Sequence, residues 1–383
     1  MKEIITKVAA KQDEILAYLS RIVEMESPSH EKSHVDAVID VLESSYRKIG
    51  FTTRRIEEDR FGNHLVADLN GEKGPRVLLV GHADTVYPLG TLRQMPLKRE
   101  ANRLLGPAVE DMKGGLTVML FGIQMLLEYG GPLKGSIRVV INSDEEPGSP
   151  TSRVRWSELA KDVDYAMILE PAKSDGEMVY RRKGVGIFHV KVQGRAAHAG
   201  AEPEKGASAI RVLAKKILDI EALANQSLGT TVNTGVIEGG TAPYVVPDSA
   251  RAEIDFRVPT FEERDRVLKS LGSIIERKDL NGTSATLEGT FHRPPMEPAP
   301  GFEAFQQIVD ETGDDIGVPI YWTDITGGAS DGNNISALDI PTIDGMGPSG
   351  GGAHSPDEYM DIPSLYQKTA LLSAVLNRIV GEK

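Results

Sequence analysis

The chain has 383 residues, of which 40% are hydrophobic, a formal net charge of -13 at neutral pH and no cysteine. That length and apolar content suffice for two well-formed cores, and the negative balance disfavours nucleic acid and anionic membrane surfaces as partners. Without cysteine there are no disulfides, thiolate nucleophiles or zinc-thiolate sites, so any metal must sit on His, Asp and Glu.

At the N-terminus, Met1 to Lys7 run into Asp13 and Glu14 without the apolar stretch and small-residue cleavage site of a secretory signal. No segment reaches the ~20 apolar residues of a membrane helix, so the expectation is a soluble cytoplasmic protein. Residues 4–25 and 32–49 carry apolar positions at helical spacing (Ile15, Leu19, Ile22, then Val35, Val38, Leu42), and Gly50 closes the second helix. Strand-like runs follow at 51–57, 64–69 and 76–81, then a helix over 115–129 and strands at 136–142 and 165–169. Helices mixed with short, nearly all-apolar strands predict an α/β domain with a largely parallel, covered sheet.

From residue 184 the rhythm changes to strand 185–193, helix 205–224, strands 230–238 and 250–257, helix 261–277 and strand 284–291. That βαββαβ order predicts a ferredoxin-like α+β sandwich able to stand as its own domain. The Pro-rich stretch 293–300 makes a stiff return, and residues 301–383 resume mixed elements with Gly-rich loops at 326–332 and 345–353. The expected organisation is therefore one domain built from 1–183 and 293–383, with 184–292 inserted.

Five acid or histidine signals lie at or just past the ends of apolar runs, where open α/β sheets present functional side chains. They are His82-Ala83-Asp84, Glu110-Asp111, Asp144-Glu145-Glu146, Glu170-Pro171 and Gly352-Ala353-His354-Ser355. A mixture of carboxylates and imidazoles suits zinc, cobalt or manganese, whereas an all-oxygen set suits magnesium or calcium. Three of these signals also have a plainer reading. His82 and Asp84 can be an ordinary hydrogen-bonded pair, whereas in a ligand site Asp84 would take the second ring N–H of His82; residues 144–146 can be a solvated acidic turn; Asp111 can cap the following helix. His30, His34, His64, His189 and His292 lack acidic or glycine-rich company and are assigned to surface or core. His198, in Gly194-Arg195-Ala196-Ala197-His198-Ala199-Gly200, and Arg257, ending a strand of the insert, lie far in sequence from the cluster.

Taken together and in this order, the motifs resemble the dinuclear-zinc M20-type metallopeptidases and deacylases, which include glutamate carboxypeptidase, acetylornithine deacetylase and succinyl-diaminopimelate desuccinylase. The resemblance runs over nearly the whole chain, through Gly81-His82-Ala83-Asp84-Thr85-Val86, residues 106–114, Ser143-Asp144-Glu145-Glu146, Leu169-Glu170-Pro171, residues 194–200, Asp255-Phe256-Arg257 and Ala353-His354-Ser355. It implies that Asp111 bridges two zinc ions, completed by His82 and Glu170 on one side and by Glu146 and His354 on the other. Asp84 would support His82. Glu145 would act as general base on a metal-bridging water and then deliver the proton to the leaving nitrogen. The resemblance implies further that the insert is a lid that makes a homodimer, that His198 reaches the partner's site to stabilise the oxyanion, and that the Asp111–Met112 peptide bond is cis.

Glu170, the run Asp84-Thr85-Val86-Tyr87 and Thr326-Gly327-Gly328 make the chain most like the glutamate carboxypeptidase branch; Tyr244 stands where that branch carries asparagine. The expected activity is hydrolysis of the amide bond to a C-terminal amino acid, with Arg257 receiving its α-carboxylate. The expected substrate is a small peptide or N-acyl amino acid, and the alternative within enzymes is an N-acyl-amino-acid deacylase. A two-metal phosphoesterase fits poorly because basic residues near the motifs are few, and a non-catalytic scaffold fits poorly because Glu145 is retained.

Overall fold

The computed structural model of the protein describes residues 3–382. The chain forms two compact units. The first holds the chain up to Tyr180, Pro298–Asp324 and the chain from Ser330 onward; the second holds Arg181–Glu297 and Ile325–Ala329. Residues 325–329, assigned above to the first domain, thus group with the insert. No helix among the described residues is long and apolar enough to cross a membrane.

The first unit is built on a mixed six-stranded sheet, in the order Thr52–Ile56, His64–Leu69, Ser136–Asn142, Arg76–His82, Tyr165–Ile168 and Thr342–Ile343. The first two pairings are antiparallel, and the last four strands run parallel. Period-two alternation explains why both faces are covered. Val77 and Leu79 enter the core shared with the helices Gly115–Tyr129 and Ile362–Val380, while Leu78 and Val80 pack with Trp156, Leu159 and Ile335 on the opposite face. Each such fully buried side chain contributes roughly 1.5–3 kcal/mol. Because the four strands are parallel, the segments after His82, Asn142, Ile168 and Ile343 all leave the same edge of the sheet.

The helix expected over 4–25 divides into Ile4–Ala9 and Gln12–Val23, and both pieces bury apolar residues in the same core. A small four-stranded sheet, Gly350–Gly351, Tyr359–Asp361, Arg103–Leu105 and Lys98–Glu100, was not expected. It pairs the two sides of the His354 loop with one another and with the chain just before Asp111.

In the second unit a four-stranded antiparallel sheet runs Thr231–Gly239, Ser249–Val258, Gly184–Gln193, Ser284–Arg293. The helices Ala209–Glu221 and Phe261–Glu276 start at Ser208 and Thr260, whose side-chain oxygens accept the N–H groups of Arg211 and Glu263 at 3.2 Å. Alternate residues Ala250, Ala252, Ile254, Phe256 and Val258 are buried with Phe188 and Leu213 in a separate core. Element order and strand order together are those of a ferredoxin-like sandwich.

One buried charge sets a stability prediction. Lys368, on the helix Ile362–Val380, donates to the carbonyl of Gly345 at 3.1 Å, and burial lowers its pKa to about 7. Between pH 7 and the unfolded value near ~10.4 the unfolded chain binds more protons than the folded one, so stability rises with pH across that window. Lys368→Met is expected to raise stability at pH 7, on the order of a few kcal/mol, and to flatten the rise. Urea unfolding at pH 7 and pH 9.5 checks both; a wild-type protein equally stable at the two values would contradict it.

Candidate dinuclear metal centre

The parallel strand ends bring His82, Glu145, Glu146 and Glu170 to one edge, and two loops complete the cluster. Asp111 lies in the turn Val109–Gly114 before the helix Gly115–Tyr129, and the Asp111–Met112 peptide bond is cis. His354 comes from the loop between the short strands Gly350–Gly351 and Tyr359–Asp361. The helix-cap reading of Asp111 does not hold: Gly114 occupies the N-cap, with no side-chain capping bond.

Asp111 presents one oxygen to each histidine. Its Oδ1 lies 3.2 Å from His82 Nε2, and its Oδ2 lies 3.2 Å from His354 Nε2. Glu170 Oε1 stands 3.6 Å from the same His82 nitrogen, and Glu146 Oε2 stands 3.3 Å from the same His354 nitrogen. The result is two donor sets sharing one carboxylate. His82, Glu145 and Glu170 can bring donor atoms within 4.8 Å of one another, as can His82, Asp111 and Glu146.

Burial gives this cluster its electrostatic character. Burial and the nearby Asp111 carboxylate push Glu170 well above the usual carboxylate range, and burial raises Glu146 as well. Burial would pull His82 down, yet hydrogen bonding to Asp111 and Asp84 and the nearby Glu170 hold it well above its ordinary value. Hydrogen bonds to Asp111 and Glu146 raise His354 to about 10. Burial opposes ionisation of Asp111, but the His354 and His82 rings hold it well below the usual range. Carboxylates outnumber imidazoles in a poorly solvated site, so protons or cations must supply positive charge. Glu146 Oε1 is buried without a hydrogen-bond partner. Nitrogen and oxygen donors, surplus negative charge and an orphaned carboxylate oxygen fit two divalent cations of the zinc, cobalt or manganese type.

Asp84 supports the site by a route different from the expected one. His82 Nδ1 lies 2.9 Å from the backbone carbonyl of Asp84, a better hydrogen bond than the 3.5 Å to its carboxylate. The carboxylate instead accepts the N–H groups of Glu145 and Glu146, at 3.1 and 3.2 Å, and the hydroxyl of Ser29 at 2.7 Å. Asp84 thus fixes the His82 tautomer with its main chain and the Glu145–Glu146 turn with its side chain.

The acidic run is not a solvated turn: Asp144 is fully buried, and its Oδ2 accepts from Thr151 N and Oγ1 and from Ser152 N. His64 is core, as assigned. Its Nδ1 accepts the N–H of Ser143 at 3.2 Å, so Nε2 carries the hydrogen and donates to Thr151 Oγ1 at 3.0 Å.

Glu358 escapes sequence reasoning. It is fully buried and accepts from the backbone N–H groups of Ala108, Glu110 and Asp111 at 3.1, 2.9 and 3.1 Å, and from the hydroxyl of Tyr87. One carboxylate therefore holds the backbone that carries Asp111 in place. Gly115 is the other silent contributor. A Cβ there would meet the carbonyl oxygen of Leu169 at 1.8 Å, so the helix start and the strand end carrying Glu170 touch backbone to backbone. Gly115→Ala is expected to lower both stability, by ~3 kcal/mol, and metal affinity, because Glu170 must move. Thermal unfolding and metal titration check this; a wild-type Tm would exclude the close approach.

His198 and Arg257 belong to the second unit. His198 is exposed, and its Nδ1 accepts the N–H groups of Gly200 and Ala201 at 3.2 and 3.1 Å, so Nε2 carries the hydrogen and is presented as a donor. Arg257 donates from Nε to Asp255 at 2.9 Å and from Nη1 to the carbonyl of Gly327 at 3.5 Å, with about a third of its side chain exposed. Tyr244 is 66% exposed.

Residues 180–283 match the M20 peptidase dimerisation domain. The chain is 29% identical over 377 residues to carboxypeptidase G2 of Pseudomonas sp. (strain RS-16), covering 96% of this chain and 89% of that protein. It is 26% identical to a succinyl-diaminopimelate desuccinylase of Janthinobacterium sp. (strain Marseille), over 91% of this chain and 94% of that one. Among solved structures, a tripeptidase from Staphylococcus aureus superposes with a TM-score of 0.80 at 25% identity, covering 96% of this chain and 98% of that one.

Proposed function

Since the chain is an M20-type hydrolase of peptide or amide bonds, with the fold and the dimerisation domain of that family, we propose that it is a carboxypeptidase that releases a C-terminal amino acid, glutamate above all, from a small peptide or acyl conjugate. The observation carrying this reading is the paired set in which Asp111 turns one oxygen to His82 and the other to His354, with Glu145 adjoining. Zinc, replaceable by cobalt or manganese, is the proposed metal. Two such cations, when bound, supply Lewis-acid polarisation of the scissile carbonyl and a more acidic water.

The chain's own groups do the rest. Asp111, His82, Glu170, Glu146 and His354 hold the metals, while Asp84 keeps His82 and the Glu145–Glu146 turn in register. Glu145 takes a proton from the attacking water and returns it to the departing nitrogen, so that amine rather than amide anion leaves. His198 donates from Nε2 to the oxygen of the tetrahedral intermediate, and Arg257 receives the α-carboxylate of the leaving residue with a planar fork suited to it.

A second reading, N-acyl-amino-acid deacylase, has the full-length similarity to a desuccinylase in its favour. Release rates from a panel of peptidyl and N-acyl amino acids, varied on each side of the amide in turn, separate the two. Indifference to the C-terminal residue would remove the carboxypeptidase reading. The inserted unit is proposed to form a homodimer in which His198 serves the partner's site. Mixed and exchanged His198→Ala and Glu145→Gln subunits are then expected to regain partial activity, whereas proven heterodimers without recovery exclude action across the dimer.

A further inference from the structure

The turn that carries Glu145 and Glu146 leaves the strand Ser136–Asn142 and reverses through Gly148 and Ser149, at φ 92° and 54°. Ser149 is a non-glycine residue in the left-handed region, a conformation that persists only where the surroundings enforce it. Side chains from outside the turn supply that restraint. Asp84 holds its middle, by the N–H groups of Glu145 and Glu146, and Asp331 accepts from the hydroxyl of Ser149 at 2.7 Å and from the side-chain amide of Asn142. His64, the first residue of the strand His64–Leu69, spans the two ends: Nδ1 accepts the N–H of Ser143 at 3.2 Å, and Nε2 donates to Thr151 Oγ1 at 3.0 Å. Inside the turn the Asp144 carboxylate accepts from the N–H and hydroxyl of Thr151, at 2.6 and 2.8 Å, and from the N–H of Ser152 at 3.1 Å.

The direction of each bond is fixed. Ser143 N–H can only donate, and the Thr151 hydroxyl gives its hydrogen to Asp144, so its oxygen faces His64 as an acceptor. A neutral imidazole with its hydrogen on Nε2 satisfies both ends at once; a protonated ring would set N–H against N–H at Ser143. Burial lowers the pKa of this fully buried ring and so favours the neutral form, against the pull of Asp144, Glu58 and Asp84, while Arg155, 3.1 Å from Glu58, acts in the same direction as burial. Because the two nitrogens are fixed within one planar ring, the gap between Ser143 and Thr151 is set by covalent geometry rather than by a rotatable chain. We propose that His64 is a positioning residue: it touches no reacting atom, but by clasping the turn at both ends it aims the Glu145 carboxylate at the water it deprotonates. Glu146 sits on the same turn and has a second anchor in His354 Nε2, 3.3 Å away, so slack in the turn falls chiefly on Glu145. The inference rests on the amidohydrolase reading above and adds what keeps its base in place.

The test uses the metal-loaded enzyme. His64→Phe keeps a ring and loses both bonds, and it is expected to lower kcat by about tenfold or more, the scale of a displaced catalytic group, with KM within about twofold of wild type and metal content unchanged. His64→Asn places an amide oxygen where Nδ1 accepts from Ser143, and His64→Gln places an amide N–H where Nε2 donates to Thr151. Each restores one end, so each is expected to fall between His64→Phe and wild type in kcat, a graded rescue that a residue serving only as packing would not give. Amide hydrogen exchange at Ser143, Glu145 and Glu146 reads the clasp without turnover, and is expected to quicken by about tenfold in His64→Phe. Wild-type kcat in His64→Phe, or the same kcat in all three variants, overturns the proposal; if His64→Phe does not fold, wild-type kcat in both amide variants does so. A wild type that hydrolyses no amide overturns the activity, and faster exchange in the variants then supports the clasp. Unchanged exchange overturns the clasp whatever the activity.

Discussion

The Glu145→Gln protein is expected to keep both metals and lose ~10²-fold or more of kcat, the scale of removing a general base. Its neighbour should behave in the opposite way. Glu146 Oε2 lies 3.3 Å from His354 Nε2 and its Oε1 is buried without a partner, so Glu146→Ala removes a donor from the His354 set and is expected to lower metal occupancy. The contrast is informative because the two residues are adjacent and the N–H groups of both are held by one carboxylate, that of Asp84. A disturbance of the turn would affect both variants alike, whereas division of labour separates metal content from turnover. Elemental analysis beside single-substrate kinetics decides it. Near-normal turnover in Glu145→Gln would remove that residue from the chemistry, and full metal occupancy in Glu146→Ala would remove that one from the ligand set.

Arg257→Ala is expected to lower kcat/KM by ~10²-fold or more through a raised KM, as for loss of a charged hydrogen bond worth ~3 kcal/mol. Its partner in the structure is Asp255, 2.9 Å from Nε, and a same-strand pair of this exposure contributes little to stability. Folding should therefore survive the change, which keeps the kinetic effect interpretable. The control is a substrate whose C-terminal carboxylate is amidated. Wild type should hydrolyse it poorly, and Arg257→Ala should lose little further on it. Equal losses on the two substrates would show that Arg257 supports the fold or the site generally and does not receive the carboxylate.

The part of this site that was legible in the sequence is the part that hangs on strand ends. Val77 to Val80 and Ile137 to Ile141 are apolar runs whose lengths suit buried strands, and the acids and histidine that follow them fall on one edge because the strands are parallel. His354 could be noticed because its glycine neighbours make a core histidine implausible. Glu358 could not: in His354-Ser355-Pro356-Asp357-Glu358 it reads as part of a solvated polar loop, and Asp357 beside it is indeed exposed. What buries Glu358 is a sheet of two- and three-residue strands, too short to produce any period. The Asp84 carbonyl is invisible for a different reason, since a main-chain acceptor carries no side-chain signature. Residues 325–329 group with the insert, and a five-residue excursion between compact units leaves no change of composition to mark it.

The bond from Asp111 N–H to Glu358 joins residues 247 positions apart, and His354 reaches Asp111 across 243. His82, Asp111 and Glu170, by contrast, all lie in the first half of the chain. During synthesis, one half of the paired site has all its side chains before the insert has been translated, and the other half has to wait for residue 354, beyond the insert. The loop bearing Asp111 likewise lacks the carboxylate that holds its backbone until residue 358 has emerged. The hydrolytic centre can therefore assemble only after the insert and the loop carrying His354 have both been translated.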